Sequence, residues 1–554
     1  MSPSRREFLQ HAAASLALPL LPRGPFGNPN LARQTAPFEP TWQSLANYTT
    51  PEWFRDAKFG LWAHWGPQCQ PERGDWYARN MYIQGHPQYA HHLANYGHPS
   101  RTGFLDIIGR WKAEHWDPEE LLTLYQRAGA KYFVSMANHH DNLDMYDSTH
   151  HGWNSTRVGP GKDIVGTWAR IARAKGMRFG VTNHSAHAWH WYQTAYGYDA
   201  DGPQAGVRYD AFRLTKADGA GTWWDGLDPH QLYTGPRMVM PDGITTAKAA
   251  SQWHDQNDRK WNENPPPDDG SYARQWYARC QELIAKYKPD LVYFDNVELP
   301  LGQTGLDIAA WYYNTNMAAN GGSLQAVLNA KHLAPEHRHA LVEDYERGFS
   351  ETLQPLPWQT DTCIGNWHYD RDLFERHAYK SADTVIKLLV DIVSKNGNLL
   401  LNIPVRSDGT IDGDERAVVE TVAGWMAVHG QAIFGTRPWK SFGEGPTKVR
   451  GGMFTERPST PFTPDDIRFT ARGDTLYAFL LARPVGNAVT IRSLASGSPL
   501  ARGQVERVEL LGASAPLEHT RDGSGLTIML PDTRPSGAVT VTAFAITGRG
   551  IVQS

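Results

Sequence analysis

The chain has 554 residues, too many for one ordinary domain and enough for a large buried core. Hydrophobic residues make up 40% and charged residues 20%, a globular rather than a disordered balance. The net charge of -4, without a long basic run, argues against nucleic acid or an acidic polymer as the main partner.

Residues 1–33 have the pattern of an export signal. Ser4-Arg-Arg-Glu-Phe-Leu-Gln10 resembles a twin-arginine signal, and the apolar stretch Ala12–Leu21 follows it. That stretch is too short to span a bilayer, and no run of about 18 apolar residues occurs elsewhere. A periplasmic or extracellular protein with no membrane span after signal removal is expected. The twin-arginine route carries folded proteins, which fits the cysteines. Cys69, Cys280 and Cys363 are odd in number and far apart, so neither a disulfide framework nor a CxxC metal site is visible.

From about residue 40 to 437, strand-like and helix-like segments alternate. The strand candidates are Phe59–His64, Tyr132–His139, Met177–His184, Leu291–Phe294, Leu324–Leu328, Leu341–Tyr345, Pro357–Asp361 and Asn398–Ile403. Between them, Asp117-Pro118-Glu119-Glu120 reads as a helix start, with an N-cap, an N1 proline and a capping-box Glu. Further helices are expected over 163–176, over 272–287, where Trp276, Cys280 and Leu283 share a face, around Val385–Ile392, and over 414–429. Eight strands alternating with helices predict a (β/α)8 barrel. A long insertion, roughly 188–270, separates the third and fourth strands. It carries Trp189, Trp191, Trp223, Trp224 and the proline run Pro265–Pro267. It is expected to form a wall over the site and to contact the leaving group. Over 438–554 the period changes to short strands between Gly, Asp and Pro turns, which predicts an antiparallel β-sandwich with a structural role.

Polar residues stand where the strand candidates stop. His64 ends the first; His139, His140 and Asp141 end the second; His184, Asp295 and Asn329 end the next three; Glu346 follows the sixth. In a parallel barrel these ends converge on one rim, so they can line one pocket. Asp295, at the end of the apolar run Leu291–Phe294, suits the nucleophile of a sugar-cleaving enzyme. A retaining glycosidase needs a second carboxyl with a raised pKa as acid and base. Glu346 in Val342-Glu-Asp-Tyr-Glu-Arg347 is the choice, with Glu343 behind it and Glu298 a further candidate; the plain alternative is an ion pair of Glu346 with Arg347 or a neighbour. His64, His139, His140, Asp141 and His184 also admit a metallohydrolase. Adjacent histidines point apart along a strand, however, and His64-Trp65-Gly66 offers no HxH, so no metal and no cofactor is expected. As neutral donors and acceptors these histidines suit sugar hydroxyls.

Several stretches match a known family. Trp53-Phe-Arg-Asp-Ala-Lys-Phe-Gly-Leu-Trp-Ala-His-Trp-Gly66, Ala130-Lys-Tyr-Phe-Val with Asn138-His-His-Asp141, and Pro289-Asp-Leu-Val-Tyr-Phe-Asp295 resemble glycoside hydrolase family 29, the retaining α-L-fucosidases. So do Val393-Ser-Lys-Asn-Gly-Asn-Leu-Leu-Leu-Asn402 and Ile433-Phe-Gly-Thr-Arg-Pro-Trp439. The resemblance implies a barrel followed by a β-sandwich, Asp295 as nucleophile, and His64, His139 and His140 as ligands of the fucose hydroxyls. Asp75 and Trp76 fall where the family has Glu before Trp-Tyr, and are expected to line the site. His184 stands where Tyr is common, Lys331 where Arg is expected, Tyr293 where Trp is frequent, and Asn296 where Gly is usual. The pattern is that of a divergent branch. It implies an exo-acting α-L-fucosidase acting on fucosylated glycans. An α-L-galactosidase or other glycosidase of the same fold, or a non-catalytic glycan-binding protein, is the alternative.

Overall fold

The computed structural model describes residues 37–234, 239–257, 270–456, 460–531 and 537–552. The export signal and the proline run Pro265–Pro267 lie outside these residues.

Eight parallel strands close into a barrel: β1 (Phe59–Ala63), β2 (Tyr132–Asn138), β3 (Arg178–Asn183), β4 (Leu291–Val297), β5 (Val327–Lys331), β6 (Val342–Asp344), β7 (Trp358–Cys363) and β8 (Gly397–Asn402). Each of the eight predicted strands is present. Most are buried along their whole length, because helices cover the outside and side chains fill the inside. Gly60 on β1 shows how tightly the interior is filled. A Cβ there would come within 2.3 Å of the Tyr132 ring, so glycine is what lets that ring cross the barrel floor.

The fifth strand differs from expectation. It begins three residues later than Leu324 and runs through Asn329 to Lys331. Asn329 is therefore buried mid-strand rather than at its end. Pairing fixes this register: Leu291, Val292 and Tyr293 of β4 face Val327, Leu328 and Asn329. The register then slips, so that Val297 faces Lys331. The slip is a bulge in β4, and Asp295 sits on it. Bulges of this kind re-aim side chains next to sites.

The outer helices follow from local signals. α1 (Pro118–Arg127) is capped by the Asp117 carboxylate, which accepts from the N–H groups of Glu119 and Glu120, and it buries Leu121, Leu122, Leu124 and Tyr125. α2 (Ile164–Ala174), α3 (Ser271–Tyr287), α4 (Gln303–Ala319), α5 (Ala382–Ser394) and α6 (Gly413–His429) complete the outer layer. As predicted, Trp276, Cys280 and Leu283 form the buried face of α3.

Beyond the barrel lie two antiparallel sheets. One has the order β13-β16-β11-β10-β9, from Arg507–Leu510, Thr542–Thr547, Thr475–Leu480, Ile467–Arg472 and Arg437–Glu444. The other has the order β12-β15-β14, from Ala488–Ile491, Leu526–Met529 and His519–Arg521. In β11 the alternation separates two cores. Tyr477 and Phe479 join the barrel core, while Leu476, Ala478 and Leu480 join the core of the sandwich. Across this junction Asp391 of α5, buried, accepts from Lys395 Nζ and Arg468 Nε, each at 2.7 Å. A buried carboxylate needs such partners to offset its desolvation.

Candidate active site

At the C-terminal rim of the barrel lies a cavity of about 630 Å³, within the ~300–1,000 Å³ of small-ligand sites. Most of the site residues singled out from the sequence bound it, namely His64, Asp75, Trp76, His139, His140, His184, Asp295, Lys331 and Glu346, whereas Asp141 and Asn329 do not. Nor does Tyr293. Its side chain points into the barrel and donates to Asp361 Oδ2 at 3.1 Å, so it supports the floor from below. Glu343 and Glu298 are also absent from the lining. Glu343 bonds with Tyr345 and pairs with Arg338, and Glu298 accepts from Ala334 N and His337 Nδ1. Glu346 does form an ion pair, with Lys331 rather than Arg347, and Arg347 pairs with Glu456.

Asp295 is held from three sides. His184 Nδ1 donates to Oδ2 at 2.8 Å, His140 Nε2 lies 3.4 Å from the same oxygen, and Lys331 Nζ donates to Oδ1. The same ammonium donates to Glu346 Oε2. One nitrogen thus joins both carboxylates, which brings their nearest oxygens within about 5 Å of each other, two hydrogen bonds end to end. Burial raises the Asp295 pKa, but the charge of Lys331 and the His184 N–H outweigh it and hold the carboxyl well below its usual range. Glu346 goes the other way. Burial and the neighbouring Asp361 and Asp295 raise it above the ordinary glutamate value, against the lowering pull of Lys331. The result is two carboxyls in one cavity shifted in opposite directions, Asp295 down and Glu346 up, the division expected of an acid–base pair.

The histidines are fixed in orientation. His184 Nε2 lies 3.0 Å from the Thr182 hydroxyl, which donates to it once Nδ1–H is given to Asp295. Burial holds His184 at about 4, hence neutral. Gln68 Oε1 accepts from Ala78 N, which turns the Gln68 amide N–H onto His139 Nδ1 at 2.7 Å. His139, also kept neutral by burial, then carries its proton on Nε2. Both His64 ring nitrogens are buried without a hydrogen bond, and burial keeps that ring neutral too.

One expectation fails here. The adjacent pair His139–His140 does not diverge: the rings are 4.3 Å apart and both face the cavity. β2 ends at Asn138, so strand alternation no longer applies to them. Two histidine triplets, His64–His139–His368 and His139–His140–His184, bring their nitrogens within 4.8 Å of one another. In the second, His184 has both nitrogens engaged and His139 presents an N–H. That set suits hydroxyl groups better than a metal ion.

The insertion also behaves differently from expectation. Trp189, Trp191 and Trp224 are buried, and among the described residues no tryptophan of the insertion bounds the cavity. Trp191 instead backs the site, packing edge-on against Trp76 and His139 and tilted against His140. Asp75 is anchored by the Trp367 and His368 N–H groups, at 3.2 and 2.7 Å. Sequence patterns missed Asp361, inside β7, together with Trp367, His332, Met453 and Phe454. Asp361 ends a strand candidate among Gln359, Thr360 and Thr362, where no apolar run sets off its charge. Met453 and Phe454 come from the segment between β9 and β10, where no periodicity marks them.

The family described as Alpha-L-fucosidase matches residues 28–431, and the one described as Alpha-L-fucosidase C-terminal domain matches residues 461–547. The chain is 25% identical to the tissue alpha-L-fucosidase of Homo sapiens over 549 residues, covering 98% of each chain. It is 25% identical to that of Bos taurus over 93% of this chain and 92% of the relative. Among solved structures, the Thermotoga maritima alpha-fucosidase in complex with fucose has a TM-score of 0.64 at 24% identity, covering 92% of this chain and all 100% of that one. The alpha-L-fucosidase isoenzyme 1 of Paenibacillus thiaminolyticus has a TM-score of 0.58 at 20% identity, with 90% and 98% covered. These structures share the barrel and the sheet module that follows it.

Proposed function

We propose that this chain, which belongs to the alpha-L-fucosidase family of glycoside hydrolases, is an exo-acting retaining α-L-fucosidase that removes terminal L-fucose from glycans. The observation that carries this is the pair Asp295 and Glu346, opposite in protonation tendency and both bonded to Lys331 in one cavity. Two carboxyls that share one ammonium lie near enough for direct attack, whereas an inverting enzyme leaves room for a water, with carboxyls about 6.5–9.5 Å apart.

In the first half-reaction an Asp295 oxygen bonds to the anomeric carbon. The bond from that carbon to the leaving oxygen breaks as Glu346 gives that oxygen its proton. In the second, Glu346 takes a proton from water, the water oxygen bonds to the same carbon, and Asp295 leaves as carboxylate. Two inversions give net retention. His184 and Lys331 keep Asp295 ionised before attack and stabilise it as it departs. His64 and His139, neutral and part of the cavity wall, suit the ring hydroxyls; Asp75 and Trp76 complete that wall. The working division is an export signal over 1–33, a catalytic barrel over 40–437 and a β-sandwich over 438–554. Among the described residues no helix is long and apolar enough to cross a membrane.

The test is hydrolysis of an aryl α-L-fucoside, with the anomer first released read by NMR. Release of the α-anomer is expected. Initial release of the β-anomer overturns retention, and no turnover of the fucoside overturns the activity. Clear preference for an α-L-galactoside reassigns the sugar while keeping the chemistry.

A further inference from the structure

The leaving group of a glycosidase lies beside its acid, since the acid protonates the oxygen that departs. Here the chain beside Glu346 is not part of the barrel. Residues 451–456, between β9 and β10, run antiparallel to residues 346–351. Gly452 and Phe349 exchange backbone hydrogen bonds at 2.9 and 3.3 Å, Phe454 N donates to Glu346 O at 2.8 Å, and Glu456 N donates to Arg347 O at 2.9 Å. The approach is close: a Cβ on Gly348 would come within 2.1 Å of Gly452 O. Glu456 ties the far end, pairing with Lys380 at 2.9 Å and Arg347 at 3.5 Å and accepting from Thr362 Oγ1.

Fastened in this way, the strap holds Met453 and Phe454 at the edge of the cavity that contains Asp295. Phe454 is 68% exposed, an unusual state for a phenyl ring, and its backbone is left-handed at φ 56°. A bulky residue keeps that costly conformation only where the surroundings impose it, and such outliers gather at ligand sites. Among the described residues no ring stacks on Phe454. Val297, 43% exposed, is another apolar side chain at the same mouth.

We propose that Phe454, with Met453, forms the leaving-group subsite. It takes the apolar C–H face of the pyranose to which the L-fucosyl group is attached. The proposal rests on the fucosidase reading. An aromatic plane suits this ligand because a pyranose presents axial C–H groups on one face, and contact removes apolar area of both partners from water. Placing the platform one hydrogen bond from the Glu346 backbone aligns the departing sugar with the acid that protonates it.

The test compares kcat/KM for an α-L-fucosyl-galactose disaccharide with that for α-L-fucosyl fluoride, whose leaving group has no ring. In Phe454→Ala the disaccharide-to-fluoride ratio is expected to fall about tenfold, equivalent to ~1.4 kcal/mol. Phe454→Trp is expected to restore it, and Met453→Ala to lower it severalfold. An unchanged ratio in Phe454→Ala, with wild type active on both substrates, overturns the subsite alone. Absence of wild-type turnover on both overturns the fucosidase assignment, and the subsite with it.

Discussion

The floor and the mouth of the cavity are built on different principles. At the floor, Asp295 of β4, Lys331 of β5 and His184, one residue past β3, are largely buried and held together by charge-assisted hydrogen bonds to Asp295. At the mouth, Trp76, His332 and Phe454 come from loops, and each has a left-handed backbone, with φ of 63°, 50° and 56°. Strand pairing fixes Asp295 and Lys331, and Glu346, in the turn after β6, is held against β7 by backbone bonds from Tyr345 N to Gln359 O and from Arg347 N to Asp361 O, at 2.9 and 2.8 Å. The loops place side chains only by being held in costly conformations, a cost repaid where they meet ligand. Reaction chemistry is thus assigned to the rigid part, and choice of leaving group to the part that can vary.

If that division holds, damage to the floor should cost orders of magnitude and damage to the mouth far less. Asp295→Ala should lower kcat by on the order of 10⁴-fold, with azide restoring turnover and giving a β-L-fucosyl azide. Substantial residual activity without azide would place the nucleophile elsewhere. Glu346→Ala should cost about 10²–10⁴-fold on substrates with poor leaving groups, and much less on fucosyl fluoride, which needs no proton. A uniform loss on both would argue that Glu346 is not the acid.

Lys331→Met should cost about 10–100-fold, the scale of lost charge-assisted hydrogen bonds. It should also move the pH profile. Asp295 must be ionised, so activity falls as pH drops through its pKa; Glu346 must hold its proton, so activity falls as pH rises through its pKa. Lys331 lowers both, so without it both limbs should shift to higher pH. Lys331→Arg should keep the limbs near their wild-type positions. The smallest effect at the floor is expected from Thr182→Val. Without the hydroxyl, His184 can carry its proton on either nitrogen, and kcat should fall by about 3–10-fold with KM nearly unchanged. Thr182→Ser should recover it; equal changes in both constants would speak for a packing role instead.

The same contrast governs what could be read from the sequence. Parallel strands buried on both faces appear as apolar runs, so all eight barrel strands were visible, and Asp295 stood out as the charge that ends one. β5 was misplaced because Asn329 and Lys331 look like loop residues, whereas both point into a polar barrel interior. The tryptophans of the insertion drew attention as possible sugar contacts, yet three of them fill a core. Phe454 went unnoticed because its position depends on pairing with a segment about 100 residues earlier, which no local pattern records.

The strap has a consequence for the order of events during synthesis. The ribosome completes the barrel before it makes Met453 and Phe454, so a nascent chain can hold every reacting group while its entrance is still unfinished. Only once the trailing sheets have formed and seated against α5 does the molecule gain the surface that grips what is attached to fucose. Selectivity for natural glycans is then the last property this polypeptide acquires, and the first it would lose if the trailing sheets came away.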